Sequence, residues 1–532
     1  MTQARPGNSL QTFDPIDSFA LRTSRNRRNA LKLMGVSALV GMAPNVAFGQ
    51  GKRGGTLVIG VTSDVNPTEI LAQTQGDIPL IHQIFNTLIR YDHKTLEPKP
   101  ELARSWTIAP DRMSLTMQLR DGVKFHSGRA LNASDVVQSI TRTQDPAYSA
   151  QLRTIARTIG EAKALSPLEL RITLAEPIPP ENLFDLFELM PIIDHETMPI
   201  RNQAGNVRMV GTGPFVWGEW KPGESLTLTR NPNYWKPNLP YLDGIRYTVQ
   251  PRIPSLVSSI QAGQTHMAVR LVPSSVQSVK NDPSVALTFS ETPVQAWYVG
   301  CNVKIAPLDK KQVRQAISFA IDRDRIMRLL FDGKGNPGAL PWPTYSPAYD
   351  KSLEAQHAYN PAKAKQLLAG IAPNELEVTM MVDSTEAASA GMAQVIQYNL
   401  EQVGFKVKPV GTTYADLAGR LIAGTFPGLW IQGHTFIQMH PGTLPTSAFP
   451  MNASRNASNF ESDDYKRIAK EALLAPPAKA KEAYDKLNRF LLDERFVINI
   501  GSSPAMVVHS KRLSGLKFDM ITWNILEEAS LA

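Results

Sequence analysis

The chain has 532 residues and a single cysteine, and its 56 Lys and Arg against 48 Asp and Glu give a formal net charge of +8. The lone Cys301 excludes an intramolecular disulfide, so the fold must rest on its apolar core. The first 50 residues hold six Arg or Lys against two Asp, so half of the charge sits there and the rest is a weak field that gives no argument for nucleic acid.

In chain order, Arg27-Arg28-Asn29-Ala30-Leu31-Lys32 precedes an apolar run from Leu33 to Phe48. Adjacent arginines, a short uncharged stretch and the small residues Ala47 and Gly49 read as a twin-arginine-type export signal over residues 1–49, cleaved near Gln50. The run is shorter than the roughly 20 residues of a spanning helix, so a soluble product in a periplasm is expected. The bland alternative is an amphipathic surface helix with a basic start. The remainder is long enough for two or three domains with real cores.

Gly54 to Gly60 reads as a glycine-led strand, and Pro79 to Ile89 as a helix with Leu80, Ile84 and Leu88 on one face. Leu115 to Leu119 alternates as a half-buried strand, and Asn132 or Ser134 caps a helix carrying Val136, Val137 and Ile140. Leu168 to Leu174, Ser225 to Thr229 and Ile245 to Val249 are further strands, and Pro254 to Ala262 is a helix. Leu308 to Leu330 is expected to be helical, with Val313, Ala316, Ile317, Ala320 and Ile321 as the core stripe. Pro361 to Leu368, Ala388 to Val403 and Ala480 to Phe490 are helices, Gly404 to Val407 begins a strand, and the apolar run Phe496 to Ile500 follows the late helix. The mixture implies α/β architecture rather than a repeat array.

Five segments then come in a telling order. They are Leu102-Ala103-Arg104-Ser105-Trp106, the stretch from Leu119 to Gly128, Gly211-Thr212-Gly213-Pro214-Phe215, Arg230-Asn231-Pro232-Asn233-Tyr234-Trp235, and the stretch from Lys310 to Arg323. In these the chain resembles the large extracytoplasmic solute-binding proteins of the oligopeptide, dipeptide and nickel class of ABC importers, family 5. The resemblance implies a bilobal periplasmic-binding-protein fold (class II, large type) with an extra domain inserted in lobe I. It divides the chain into lobe I at about 51–90, 211–296 and 503–532, the inserted domain at 91–210 and lobe II at 297–502. It also implies a solute caught by lobe closure and an inner-membrane ABC permease as partner. A monomer is expected, with no cofactor, no resident metal and no catalysis on the chain.

Most of the shared residues have structural readings: the glycines at 211 and 213 permit tight backbone geometry, and Asn231-Pro232-Asn233 forms a turn. The resemblance places Glu291 to Asn302 and Gly428 to His434 near the cleft. Trp297, Tyr298 and Trp430 are expected to wall the ligand, with Arg270, Gln432 and His434 suiting an anionic or hydroxyl-rich group. Peptide-binding members carry an aspartate shortly after the tryptophan matched by Trp430. Here Ile431, Gln432, Gly433 and His434 follow, and the only acid between Glu401 and Glu461 is Asp416. An ammonium entering a closed cleft needs a partner, so the expected solute is a modified peptide, an opine-like acid, a sugar conjugate or another polar organic molecule. His434 and His440 form no compact metal motif, which leaves a metal chelate as the alternative. A solute sensor or chaperone on the same fold is a further alternative. An exported hydrolase finds neither a Gly-x-Ser-x-Gly elbow nor a His-Glu-x-x-His motif in the chain.

Overall fold

Apolar residues at alternate positions build one long sheet, because each strand must bury one face or both. The computed structural model describes residues 52–65, 71, 78–92, 97–148, 150, 152–176, 179–196, 209–269, 271–384, 386–435, 440–518 and 524–532. The segment expected to be an export signal and Arg270 lie outside the described residues. Among the described residues no helix is long and apolar enough to cross a membrane.

The strands of the large sheet follow one another in space as Lys406–Thr412, Glu377–Asp383, Leu429–His434, Val285–Cys301, Val497–Ser510, Met267–Val269, Thr56–Val61, Gly244–Val249, Ser225–Arg230 and Phe215–Lys221. Pairing is parallel between Glu377–Asp383 and both of its neighbours, and again on both sides of Thr56–Val61. Between these two parallel regions run the two longest strands, Val285–Cys301 and Val497–Ser510, paired antiparallel along nearly their whole length. Register shifts interrupt them at Phe289/Pro293, Pro293/Gln295 and Trp297/Tyr298. This is the bilobal α/β fold.

A separate antiparallel sheet orders Ala103–Ile108, Ser114–Leu119, Glu169–Leu174 and Ile159–Ser166, backed by the helix Ala133–Gln144. Asn132, of the two candidates, is its cap, accepting from Ser134 N, while Asp135 returns a bond to the Asn132 backbone. The fully buried Asp135 also takes Arg129, as does the fully buried Asp194, which accepts from Arg129 Nε at 3.0 Å and from Ser127 Oγ at 2.6 Å. Removing the shared cation would strand two buried carboxylates. Arg129→Ala is therefore expected to lower stability by about 3–5 kcal/mol in chemical denaturation.

The family-like motifs lie at close approaches. A Cβ at Gly211 would stand 2.2 Å from the Ile84 carbonyl oxygen, and one at Gly213 would stand 2.6 Å from the Ile84 carbonyl carbon. Asn231 Nδ2 donates to Gly213 O at 2.9 Å, Trp235 Nε1 to Asn86 Oδ1 at 3.0 Å, and the Tyr234 hydroxyl to Glu527 Oε2 at 2.6 Å. These contacts end the helix expected over 79–89 early. It runs Ile78–Ile84, and Ile89–Tyr91 is a strand. Asn86, fully buried, also reaches Glu101 and Thr212 through its side chain, which holds the chain between these elements extended.

The segment expected as one helix over 308–330 is two, Lys311–Ala320 and Arg323–Phe331. Asp322 breaks it by capping the second helix at Arg325 N, while its own N–H is taken by Asn399 Oδ1. Arg314 is buried and donates to Leu308 O, Asp309 O, Glu494 O and Glu494 Oε2, a structural role.

Candidate functional site

Strand alternation decides which side chains meet. In Leu429–His434 the side chains of Trp430, Gln432 and His434 share one face, and Leu429 and Ile431 take the other. The neighbouring strand pairs Tyr298 with Gln432, Gly300 with Trp430 and Ala296 with His434. Tyr298 packs in the same apolar cluster as Trp430, whereas Trp297, Val299 and Cys301 join Leu429 and Ile431 in the cluster on the opposite side.

Tyr298, Trp430, Gln432 and His434 therefore come together. The Tyr298 hydroxyl donates to Gln432 Oε1 at 3.3 Å, and its ring centroid lies 5.8 Å from that of His434. Burial pushes the Tyr298 phenol well above the usual tyrosine range, so it stays a donor. Trp430 is fully buried and stacks on Phe426 with centroids 4.0 Å apart and planes 7° apart. It lies flat over the adjacent strand, where a Cβ on Gly300 would meet Trp430 Cζ2 at 2.1 Å. Its indole N–H is buried with no hydrogen bond of acceptable geometry, although it sits near enough to the Tyr298 oxygen to favour the ionised phenol.

His434 is the unusual member. Both ring nitrogens are shut off from water and neither has a hydrogen-bond partner, although other atoms of the residue keep some exposure. Burial pushes its pKa down to about 4, so the imidazole is neutral at pH 7. Satisfied burial is the rule for polar side chains, and an imidazole with two orphaned nitrogens is an incomplete arrangement. A neutral ring offers one donor and one acceptor, or one lone pair to a metal.

Trp297 stands apart from this group. It is buried, packs 6.1 Å from Phe331 and donates from Nε1 to Ser503 Oγ at 2.9 Å. The register shift between Trp297 and Tyr298 does not bring both onto one wall. Trp297→Ala is expected to cost about 3–5 kcal/mol of stability, while Trp297→Phe keeps solute affinity within about twofold, read by calorimetric titration. Sequence reasoning missed Phe426, whose signal is its place ahead of Pro427-Gly428 at the strand entry. Gln295 lies on the opposite face with Trp297, where a Cβ on Gly433 would stand 2.1 Å from its Nε2.

Elsewhere in the chain, the segment 182–185 meets 440–473. Asn182 Nδ2 donates to Leu473 O at 2.7 Å. Asp185 Oδ2 accepts from His440 N at 2.9 Å and from Thr443 Oγ1 at 2.7 Å, while its Oδ1 accepts from the Tyr91 hydroxyl at 3.0 Å. Burial pushes the Asp185 pKa up to about 6 against these three donors, which favour the carboxylate. Among the described residues no group of three or more His, Cys, Asp or Glu converges that could hold a metal ion.

The chain is 29% identical over 376 residues to heme-binding protein A of Haemophilus influenzae, a match covering 65% of this chain and 68% of that protein. It is 26% identical over 466 residues to the glutathione-binding protein GsiB of Escherichia coli strain K12, covering 82% and 87%. Among solved structures, the binding protein AgaA of A. tumefaciens R10, in complex with agropinic acid, superposes with a TM-score of 0.79 at 22% identity, over 90% of this chain and 99% of that one. The oligopeptide-binding protein AppA of Bacillus subtilis gives 0.78 at 20% identity, over 91% and 100%. These two likenesses establish the fold. The model of the bacterial extracellular solute-binding proteins, family 5, matches residues 97–453. The chain belongs to the family 5 bacterial extracellular solute-binding proteins.

Proposed function

We propose that this protein is the periplasmic receptor of an ABC importer, that it binds a polar organic solute against the face carrying Tyr298, Trp430, Gln432 and His434, and that it delivers the solute to an inner-membrane permease as a monomer. Residues 1–49 serve as its export signal. Lobe I comprises 51–90, 211–296 and 503–532, the inserted domain 91–210 and lobe II 297–502. The two long strands pass from one lobe to the other near residues 290–297 and 502–504, where their register breaks. Closure is a population shift toward the state the solute contacts better, and the Asp185 contact to His440 and Thr443 is one of the bonds that closure makes. No catalysis on the chain is required.

The observation that carries this reading is His434, a neutral imidazole with two buried, unpartnered nitrogens beside a phenol and an amide. A solute with hydroxyl, amide or carboxylate groups would complete those hydrogen bonds. Among the described residues no carboxylate partners this group, so a free ammonium is a poor fit. AgaA was solved with agropinic acid, which suits the polar, acid-bearing class proposed here, whereas the glutathione for which GsiB is named also carries a free ammonium and fits this face less well. Arg270 is proposed as a further anion contact.

A second reading rests on the same imidazole, since a neutral histidine with a free nitrogen can ligate a metal that arrives in an organic chelate with its other ligands supplied. Heme-binding protein A and a NikZ structure with Ni(L-His), at 20% identity, keep this reading in view. A thermal-shift panel of opine-like acids, sugar conjugates, thiol peptides, free peptides and chelates separates the two. An acid or conjugate is expected to raise Tm and to show no turnover on prolonged incubation. A rise with unmodified peptides alone would overturn the proposed solute class.

A further inference from the structure

We propose that the protein carries a second small-molecule site, separate from the Tyr298–His434 face, that binds a small multivalent oxyanion in a cavity between the helices Lys311–Ala320, Lys351–Gln356, Pro361–Leu367 and Pro477–Glu494. The cavity has a volume of about 290 Å³, at the small end for organic ligands. Its floor is Phe319, which stacks on His357 with centroids 5.7 Å apart and planes 19° apart. The Lys363 ammonium stands 4.0 Å from the same ring.

The charges of the lining are unbalanced. Among the described residues neither Lys363 nor Arg489, both at the cavity wall, has an acidic partner. The one carboxylate in the wall, Asp493, is already engaged by Lys311 Nζ at 2.6 Å and by Gln315 Nε2 at 3.0 Å. Two further cations lie just behind. Arg323 and Arg495 are both buried, and Arg495 Nη2 has no hydrogen-bond partner. His357 Nδ1 is also buried without a partner. Its pKa is pushed down to about 4, by burial first and then by Arg495, Lys363 and Arg323, so the positive field reaches into the cavity. Glu354 acts on Arg323 and Arg495, and it is engaged by the backbone N–H groups of Ala339 and Leu340. An oxyanion in the cavity would pair Lys363 and Arg489 and offer an acceptor to a protonated His357 Nδ1.

The test is thermal unfolding of the full mature chain in citrate or pyrophosphate against sodium chloride of equal ionic strength. The expected result is a rise in Tm that grows with at least one of the two anions beyond the salt control. Citrate alone would assign a carboxylate ligand, and pyrophosphate alone a phosphate. The double variant Lys363→Gln, Arg489→Gln changes only exposed or wall side chains and is expected to fold, to keep solute binding and to lose the anion-specific rise. His434→Leu is expected to keep it, which separates this site from the solute face. No rise beyond salt with either anion, or a rise that survives the double variant, overturns the proposal.

Discussion

His434→Leu gains stability and loses solute. The wild-type side chain holds two polar nitrogens out of water with nothing to bind them. An unmade hydrogen bond of that kind costs about 1–3 kcal/mol, which a similarly sized apolar side chain avoids. The same change removes the donor and acceptor that the solute would use, so affinity is expected to fall about 10- to 100-fold. A residue kept for packing would behave oppositely, losing stability with affinity intact. Acid titration gives an independent check. The folded pKa of His434 is about 4, below the ordinary value of 6.5, so the unfolded chain binds the proton more readily. This group leaves stability unchanged with pH above 6.5, lowers it as the pH drops from there, and stops lowering it below about 4. The slope from this group is at most about 1.4 kcal/mol per pH unit, and His434→Leu should flatten the profile by that contribution.

Gly213→Ala is expected to prevent stable folding, or to cost more than about 3 kcal/mol where soluble protein is recovered. The added methyl would meet Ile84 C at 2.6 Å and the carbonyl oxygens of Gln83 and Ile84 at 2.7 Å, all backbone atoms that no rotamer change can move. The same turn receives His126 N at Gly211 O and Asn231 Nδ2 at Gly213 O, so a shift there would break bonds in three segments. Gly223→Ala is a useful contrast. Its φ is +74°, which alanine tolerates poorly, but no atom lies within 4 Å of the added Cβ, so a loss of about 1 kcal/mol is expected. Equal losses at positions 213 and 223 would show that backbone conformation, rather than close approach, governs both.

What was legible in the sequence follows from how local each signal is. The face of Leu429–His434 could be read from alternation alone, because a strand's side chains obey a period of two without help from distant residues. The same period puts the neighbours Trp297 and Tyr298 on opposite faces, but that Tyr298 is the one beside Trp430 follows from its pairing with Gln432, which has no local signal. The helix break at Asp322 was hidden by an apolar stripe that continues through Ile321, while the partner that stabilises it, Asn399, is 77 residues away. The strand expected over Phe496 to Ile500 gave no sign of continuing through Gly501, Ser502, Ser503 and Pro504. It runs to Ser510, and Gly501 serves the close approach of Asn336, whose carbonyl oxygen would stand 2.3 Å from a Cβ there. The segments shared with the family were legible as a set, but their contacts, such as Tyr234 to Glu527, span 293 residues and carry no local signature.

The most direct measurement is native mass spectrometry of mature wild-type protein and of His434→Leu, both isolated from the periplasm of the producing cells, followed by denaturing release and identification of any bound molecule. The account predicts a retained polar solute on the wild type, an acid or conjugate or a chelate, and its loss or strong depletion in the variant. An unmodified peptide on the wild type, or the same molecule at equal occupancy on both proteins, would contradict it.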